Sequence, residues 1–291
     1  MTPTSSTYRW LNETDCILAN WHKGPGIEMP MHLHEEFEIH YLWNCKKAVR
    51  VVGDHKEVIH DKDLILLGPR LLHTHLYDEE SIDVNQRDFF LHGRPNIFDK
   101  EYLSKSSMLQ LQSLFQRGEH GLSFSEPTIA KVEPIINGLM EGEHLSQPRL
   151  LLKLLEILLI MAEDENCNIL SYTSSSLHYS EREDRINRSL CYIKSNYNKK
   201  IRVKDVADIM GLSNERANKN FKQAMMRSII DYVIEYRLSM AVNQLMVTDK
   251  TVAEIAYSVG FDNIPYFNRA FRRKYYCSPT EFRKRHIVRM V

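Results

Sequence analysis

A seven-residue pattern that occurs twice is the feature that most constrains the fold of this 291-residue chain. The stretch 206–212, Val-Ala-Asp-Ile-Met-Gly-Leu, returns 49 positions later as 255–261, Ile-Ala-Tyr-Ser-Val-Gly-Phe. The similarity continues beyond each copy, where Phe221 corresponds to Phe271. A repeat at a fixed spacing indicates a repeated supersecondary unit. The sequence therefore predicts two similar units in the last third of the chain.

Each copy has the pattern of a short helix that ends at a glycine, a turn and a second helix, which is a helix-turn-helix. The two units are predicted at about 203–224 and 252–275. Between them, apolar residues at spacings of three and four across 229–246 predict one amphipathic helix about 27 Å long. A rod of that length can hold two recognition helices about one DNA turn apart, roughly 34 Å.

The ordered residues of this region resemble the C-terminal domain of the AraC/XylS transcription regulators. The resemblance covers about 100 residues and rests on Arg237-Leu238, the stretch 251–256, Val259-Gly260-Phe261, the stretch 266–271 and Ser278-Pro279. It implies an all-α domain that binds double-stranded promoter DNA through its two helix-turn-helix units.

Nine side chains are predicted to meet DNA, because helical spacing leaves them outward or because alignment with the family places them at base-reading positions. Asn can pair with adenine, Lys with guanine and Glu with cytosine, and Ile264 can touch a thymine methyl group. Arg269 has three open roles: a base contact, a phosphate contact or support of Glu254. The predicted set is Asn214, Glu215, Asn218, Lys219, Lys222, Ile264, Asn268, Arg269 and Arg272.

The chain departs from the family pattern inside these units. Ala217 and Asn220 stand where apolar residues are usual, and we expect nearby methionines to fill the missing volume. Met226 and Tyr276 replace the glycines that normally end the recognition helices. A side chain in a left-handed cap costs about 1 kcal/mol, so these helix ends are expected to close differently.

The formal net charge of zero conceals an asymmetry between the two halves of the chain. Residues 185–291 contain 21 Lys and Arg against 9 Asp and Glu, which gives +12, and residues 1–184 therefore carry −12. A basic half is typical of a nucleic-acid-binding domain.

Cysteine usage and hydropathy indicate the compartment. Five scattered cysteines without a CxxC motif predict free thiols in a reducing environment. No signal sequence is evident, and the longest apolar run, 150–162, is interrupted by two charges and too short to span a bilayer. We therefore expect a cytoplasmic protein without membrane contact.

The first hundred residues have the pattern of a β-sandwich or barrel, with short apolar runs between turn signals. The stretch 49–59 predicts a hairpin, and 64–67 predicts a buried strand. In the stretch 31–40, His32, His34 and Glu38 share parity, so on a regular strand they would point to one face. His73 or His75 would complete a set of nitrogen and oxygen metal ligands.

This His-x-His-x3-Glu pattern, with His73 after it, resembles the cupin barrel, which is also the usual sensor domain of sugar-responsive AraC-type regulators. The AraC-type version usually works without metal, so we predict no cofactor. A bound divalent metal at His32, His34, Glu38 and His73, and plain surface histidines, remain the alternatives. The predicted polar lining of an effector pocket is His32, His34, Glu38, Arg70 and His73.

The full prediction is an α+β protein of two domains. A cupin-like effector-binding and dimerisation domain covers 1–165, a flexible linker 166–184 and an AraC-type DNA-binding domain 185–291. Helices within 127–162 are predicted to form a homodimer, although burial within one chain would explain them equally well.

The predicted function is that of an effector-responsive activator of a carbohydrate or related catabolic operon. It would bind a sugar or sugar derivative and contact RNA polymerase, without enzymatic activity. The alternatives are a metal-dependent cupin enzyme fused to a DNA-binding domain, and a regulator that acts mainly through protein contacts.

Overall fold

The computed structural model describes residues 15–23, 30–77, 85–141, 145–171, 181–225 and 227–287. Contacts divide them into two compact units, one with residues 15–23 and 33–171 and the other with residues 30–32 and 181–287. The first is an antiparallel sheet domain with helices and the second is entirely helical. The predicted combination of a sheet domain and a helical domain is confirmed, whereas the closing of the sheets into a barrel stays a prediction.

Two antiparallel sheets form the first unit. The larger has the strand order β1-β7-β2-β5-β8-β9 and the smaller β4-β3-β6. The strands are β1 Ile17–Lys23, β2 Phe37–Trp43, β3 Val49–Val52, β4 His55–Val58, β5 Lys62–Leu67, β6 His73–Leu76, β7 Arg87–Gly93, β8 Leu122–Ser123 and β9 Asn168–Ile169.

The predicted hairpin is confirmed as β3 and β4, which pair from Val49 opposite Val58 to Val52 opposite His55. Its turn has only two residues, because Gly53 takes a left-handed conformation with φ of 55°. The predicted buried strand at 64–67 is confirmed as the main part of β5, which begins two residues earlier.

Four helices pack on one face of the large sheet: α1 Lys100–Leu103, α2 Leu109–Gly118, α3 Glu126–Glu141 and α4 Gln147–Ala162. Alternate residues of β2, such as Ile39 and Tyr41, join Leu154 and Ile157 of α4 in a buried apolar core. The polar residues of the same strands therefore point to the other face, towards the small sheet.

The segment predicted as a linker is partly ordered. Asn168 and Ile169 form β9 and pair with β8, and Ser171 donates a hydrogen bond to Asp54, so the chain still belongs to the sheet domain there. Residues 172–180 lie outside the described residues, and the next helix begins at Glu181. The predicted linker, 166–184, therefore overlaps β9 at its beginning and the first turn of α5 at its end.

The second unit contains seven helices in its described part: α5 Glu181–Asn196, α6 Val203–Met210, α7 Asn214–Met225, α8 Ile229–Val247, α9 Val252–Ser258, α10 Ile264–Tyr275 and α11 Pro279–Ile287. The long connecting helix α8 was predicted to within one residue. Its amphipathic character was predicted wrongly, because Tyr232, Leu238 and Val242 on different sides of it are all buried. Both repeated units pack against it, so it is a central helix.

Candidate nucleic-acid interface and the interior of the sheet domain

The two repeated helix pairs lie at different ends of α8. At its first residue, the backbone N–H of Ile229 donates to Asn218 of α7. Near its other end, Ser258 of α9 donates to Gln244, and Arg283 of α11 donates to the backbone oxygen of Leu245. With 19 residues, α8 is about 28 Å long at 1.5 Å per residue.

Glycines make the turns of both pairs possible. Gly211 adopts φ of 66° at the end of α6, and Gly260 adopts φ of 95° after α9. A side-chain carbon at Gly260 would lie 2.8 Å from the backbone oxygen of Tyr197 and 3.0 Å from Nε of Arg237. The repeated glycine therefore meets a conformational need in both copies and a packing need in the second.

Polar side chains cap the beginnings of the two recognition-type helices. The backbone N–H of Arg216 approaches Oγ of Ser213 at 3.4 Å, and Asn263 caps α10 by accepting from the N–H of Tyr266 at 2.8 Å. Pro265 lies in the first turn of α10, where its missing N–H has no intrahelical partner to lose.

The predicted DNA-contacting side chains differ in exposure. Asn218 and Ile264 are half-buried. The other seven are exposed: Asn214, Glu215, Lys219, Lys222, Asn268, Arg269 and Arg272. The amide oxygen of Asn218 accepts a hydrogen bond of 3.0 Å from the backbone N–H of Ile229 at the start of α8. This side chain therefore has a structural contact within the unit as well as an outward position. The carboxylate of Glu254 accepts from the backbone and hydroxyl of Thr251.

Two basic residues were missed by the sequence prediction. Arg273 lines the same surface groove as Asn268 and Arg269, beside the beginning of α11, and Arg216 is exposed on α7. The basic run 272–274 was a signal that could have identified Arg273. With Arg272 and Lys274 it concentrates positive charge in the last turn of α10.

The departures from the family pattern have two outcomes. Ala217, Met210 and Met225 are all buried, which the expected filling by methionines requires. Tyr276 closes α10 in the left-handed conformation with φ of 57°, so the expectation of a different closure is wrong there. Met226 lies outside the described residues.

In the sheet domain, the prediction of one regular strand through His32, His34 and Glu38 is wrong. The strand begins at Phe37, and a bend before it turns His34 back so that its Nε2 lies 2.9 Å from Oε2 of Glu38. The two residues still meet, although the reason is the bend and not shared strand parity.

The other pocket candidates differ in their surroundings. His73 is buried, with Nε2 3.7 Å from Oε2 of Glu38, whereas Arg70 forms an ion pair of 3.4 Å with Glu35. His32 is half-buried, and one of its ring nitrogens lies within 4.8 Å of ring nitrogens of His34 and His73. Of the five predicted residues, four therefore lie close together, and Arg70 does not join them.

Further buried polar residues surround that group. Across β2 and β7, Glu38 lies directly opposite His92, whose Nε2 is 2.9 Å from Oε2 of Glu38. The alternation along β7, which points Asp88, Phe90 and His92 to one face, could have predicted His92. The remaining buried polar residues between the sheets include His22, His40, Arg50, Asp63, His75 and Asp88.

A cavity of about 420 Å³ lies on the helical side of the large sheet. Phe37, Leu66, Phe98 and Phe115 contribute apolar walls, and Lys100 adds one cation. This cavity was not predicted, because it depends on how α1 and α2 pack against β2 and β5.

The chain resembles known regulators in its C-terminal part. A family model described as a helix-turn-helix domain matches residues 206–285. A regulator encoded in the cgkA 5′ region of Pseudoalteromonas carrageenovora is 33% identical over 99 residues, covering 34% of this chain and 58% of that protein. The transcriptional activator RhaS of Mannheimia succiniciproducens is 28% identical over 105 residues, covering 36% of this chain and 39% of its own.

A third relative combines two activities in its name: the bifunctional transcriptional activator/DNA repair enzyme AdaA of Bacillus subtilis is 30% identical over 118 residues, covering 40% of this chain and 54% of that protein. This chain thus spans less than two thirds of the length of each of these relatives.

One solved structure extends the similarity to both units. The structure of ToxT from Vibrio cholerae with a bound unsaturated fatty acid has a TM-score of 0.52 and 15% sequence identity, and the match covers 94% of this chain and 97% of that one. At this identity the match supports the two-domain fold alone. No helix in the described ranges is both long and apolar enough to cross a bilayer, and the five cysteines are free thiols.

Proposed function

We propose that the C-terminal unit is a helix-turn-helix domain of the AraC type and that the chain is a sequence-specific, DNA-binding regulator of transcription. The observation that carries the proposal is the pair of recognition-type helices, α7 and α10, joined to different ends of α8 with exposed polar and basic side chains. The excess of 12 positive charges in 185–291 supports it, because phosphate contacts supply much of the affinity for DNA.

The exposed side chains suggest which residues contact bases and which contact phosphates. Lys219 and Arg269 point outward on equivalent faces of α7 and α10 and suit contacts to guanine. Lys222, Arg272 and Arg273 follow one turn or less later, where they suit phosphate contacts. Glu215 limits the bases that the first unit accepts, because a carboxylate can only accept hydrogen bonds.

We propose that the chain acts as a homodimer through α4. Leu152 and Leu159 are seven residues apart on this helix and are 66% and 45% exposed. Seven residues are close to two helical turns, so both leucines lie on one face. The opposite face, with Leu150, Leu154, Ile157 and Met161, is buried in the sheet domain, which leaves the outer leucines for a second copy.

We propose that the sheet domain binds a small effector that biases how the dimer engages DNA. The polar group between the sheets would suit a sugar or sugar derivative, whereas the 420 Å³ cavity with aromatic walls and Lys100 favours an apolar carboxylic acid. Activation of transcription is part of the same proposal, because the similar protein RhaS is a transcriptional activator. We also propose contact with RNA polymerase, action in the cytoplasm and no enzymatic activity.

The test is a binding titration of the purified full chain against the DNA upstream of its own gene, at several salt concentrations. Lys219→Ala and Arg269→Ala should each weaken specific binding by about 1–3 kcal/mol. Lys131→Ala, an exposed residue of α3, is the matched control and should bind like the original protein. Unchanged binding by both variants would favour a regulator that acts through protein contacts.

The effector part is tested in the same titration with a panel of sugars and of aromatic and aliphatic carboxylic acids. A compound that shifts the DNA affinity of the original protein but not of Lys100→Ala would identify the apolar cavity. A sugar that acts equally on both proteins would instead support the polar group between the sheets.

A further inference from the structure

The group of ionisable side chains around Glu38 is not explained by a role in reading DNA. Glu38 is only 2% exposed. Its Oε2 lies 2.9 Å from Nε2 of His34, 2.9 Å from Nε2 of His92 and 3.7 Å from Nε2 of His73. Three imidazole nitrogens therefore converge on one carboxylate oxygen inside the protein.

Hydrogen bonds on the far side of two of these rings indicate where their protons lie. Nδ1 of His34 is 2.9 Å from the backbone oxygen of Glu36, and Nδ1 of His73 is 2.8 Å from the backbone oxygen of Leu71. A carbonyl oxygen can only accept, so each Nδ1 carries a proton. In a neutral ring the lone pair is then on Nε2, which faces the carboxylate.

Nε2 of His34 and Nε2 of His92 approach the same carboxylate oxygen of Glu38 from two different elements. Imidazole nitrogen and carboxylate oxygen are ligand types that Zn²⁺ takes in proteins. The three side chains therefore form a candidate ligand set.

We propose that Nε2 of His34, Nε2 of His92 and Oε2 of Glu38 bind a divalent transition-metal ion of the Zn²⁺ class. These ligand atoms all lie within 4.8 Å of one another. A tetrahedral Zn²⁺ with bonds of about 2.0–2.1 Å separates its ligand atoms by about 3.4 Å. The two separations of 2.9 Å from Oε2 of Glu38 are slightly shorter, so small side-chain movements create the site.

The surrounding hydrogen bonds are those of a metal site. Histidine ligands usually donate their second ring N–H to a backbone carbonyl or a carboxylate, which fixes the ring, and His34 does this through Glu36. Imidazole and carboxylate ligands together suit Zn²⁺ and Fe²⁺ and are poor ligands for Cu⁺, which prefers sulfur. The set differs from the one expected from sequence, because His92 takes the place of His32 and His73. Those two histidines form a second cluster with His34, in which the ring nitrogens also lie within 4.8 Å of one another.

The backbone holds the three ligands in place before any ion binds. Glu38 and His92 are cross-strand partners on β2 and β7. The backbone oxygen of His34 accepts from the N–H of Arg70 at 2.6 Å, which ties the bend before β2 to the turn after β5. His73 on β6 of the facing sheet lies next to this set, with Nε2 3.7 Å from Oε2 of Glu38.

The experiment uses the full chain after treatment with a chelator, titrated with Zn²⁺ or Co²⁺ alone. We expect one equivalent of ion per chain, a higher thermal midpoint and a visible Co²⁺ absorption band typical of nitrogen and oxygen ligands. His92→Gln and Glu38→Gln should lose stoichiometric binding and the absorption band. Less than one equivalent bound by the original protein would contradict the proposal.

Two controls separate loss of a ligand from loss of the fold. His55→Gln removes a histidine that is 36% exposed and lies near Glu57, and His22→Gln removes a buried histidine from the same domain; both should keep one equivalent. If Glu38→Gln does not fold, His92→Gln decides, since its side chain is 12% exposed and tolerates a polar replacement better. Binding by His92→Gln equal to that of the original protein would overturn the assignment. The readout does not depend on DNA binding, so the two proposals can fail separately.

Discussion

At the scale of single residues, outward position and function do not coincide for every side chain of the recognition-type helices. Asn218 follows the predicted outward spacing, yet its amide oxygen accepts from the N–H of Ile229. Helical periodicity predicts which face a residue occupies. It cannot predict this bond, because the bond depends on the turn that joins α7 to α8, eleven residues further along the chain.

Replacing Asn218 and Lys219 should therefore have different consequences. Asn218→Ala leaves the N–H of Ile229 without its partner and should destabilise the start of α8 by about 1 kcal/mol, seen as faster amide exchange there. Lys219→Ala should leave exchange unchanged and weaken DNA binding. Equal exchange in both variants would show that the Asn218 bond contributes nothing.

Buried His22 should make the sheet domain sensitive to acid. Burial lowers its pKa to about 4, although Asp88 acts in the opposite direction, while an unfolded chain has a histidine pKa near 6.5. Because the folded state resists protonation, stability is fully present above about pH 6.5 and is lost as the pH falls towards 4. The maximum loss is about 3 kcal/mol at 1.36 kcal/mol per pKa unit.

Denaturant unfolding at several pH values tests this, with His22→Gln as the variant that cannot titrate. Trp21 and Trp43 lie on β1 and β2, so changes in their fluorescence follow the unfolding of the sheet domain. The stability of the original protein should fall more steeply between pH 6.5 and 4 than that of the variant. Parallel curves would mean that His22 is not the responsible group.

Tyr276 offers a stabilising substitution. It holds φ of 57° at the end of α10 and its side chain is 54% exposed. Tyr276→Gly should stabilise the helical domain by about 1 kcal/mol, because glycine adopts this conformation without a steric penalty. The measurement is amide exchange of α10, and slower exchange in the original protein than in the variant would contradict the explanation.

At the scale of elements, local sequence signals predicted the positions of helices and strands well. They predicted less well which faces of these elements are buried. The glycines that end the first helix of each repeated unit and the turn of the β3–β4 hairpin are local signals, and these elements lie within the predicted ranges. The amphipathic character of α8 was wrong because its burial comes from helices far apart in sequence. The strand β9 was not predicted, because its partner strand, β8, lies more than 40 residues earlier in the chain.

The outer face of α4 allows a direct test of dimerisation. Leu152→Glu combined with Leu159→Glu places two charges on the exposed apolar face and should shift the protein from dimer to monomer in sedimentation equilibrium. Val58→Glu, at a residue that is 51% exposed on β4, is the control for an added surface charge. A dimer unaffected by the double substitution would place the interface elsewhere.

At the scale of the whole molecule, the two units differ in their charge and in the side chains that form their candidate sites. The helical unit has the basic excess and the exposed polar helices, whereas the sheet unit has buried histidines and carboxylates between its sheets and an apolar cavity on its helical side. The repeat and the histidine pattern identified the two regions in which the candidate sites lie. Which side chains come together there, such as Arg273 and His92, depends on the packing of neighbouring elements and could not be predicted from the pattern.

The central claim is that one chain reads DNA with two helices held by α8. Hydroxyl-radical footprinting of the protein on the DNA upstream of its gene tests it most directly. Each chain should protect two segments about one helical turn apart, roughly 34 Å, and Arg269→Ala should weaken protection of one segment only. A single protected segment per chain, or no specific protection, would contradict the account.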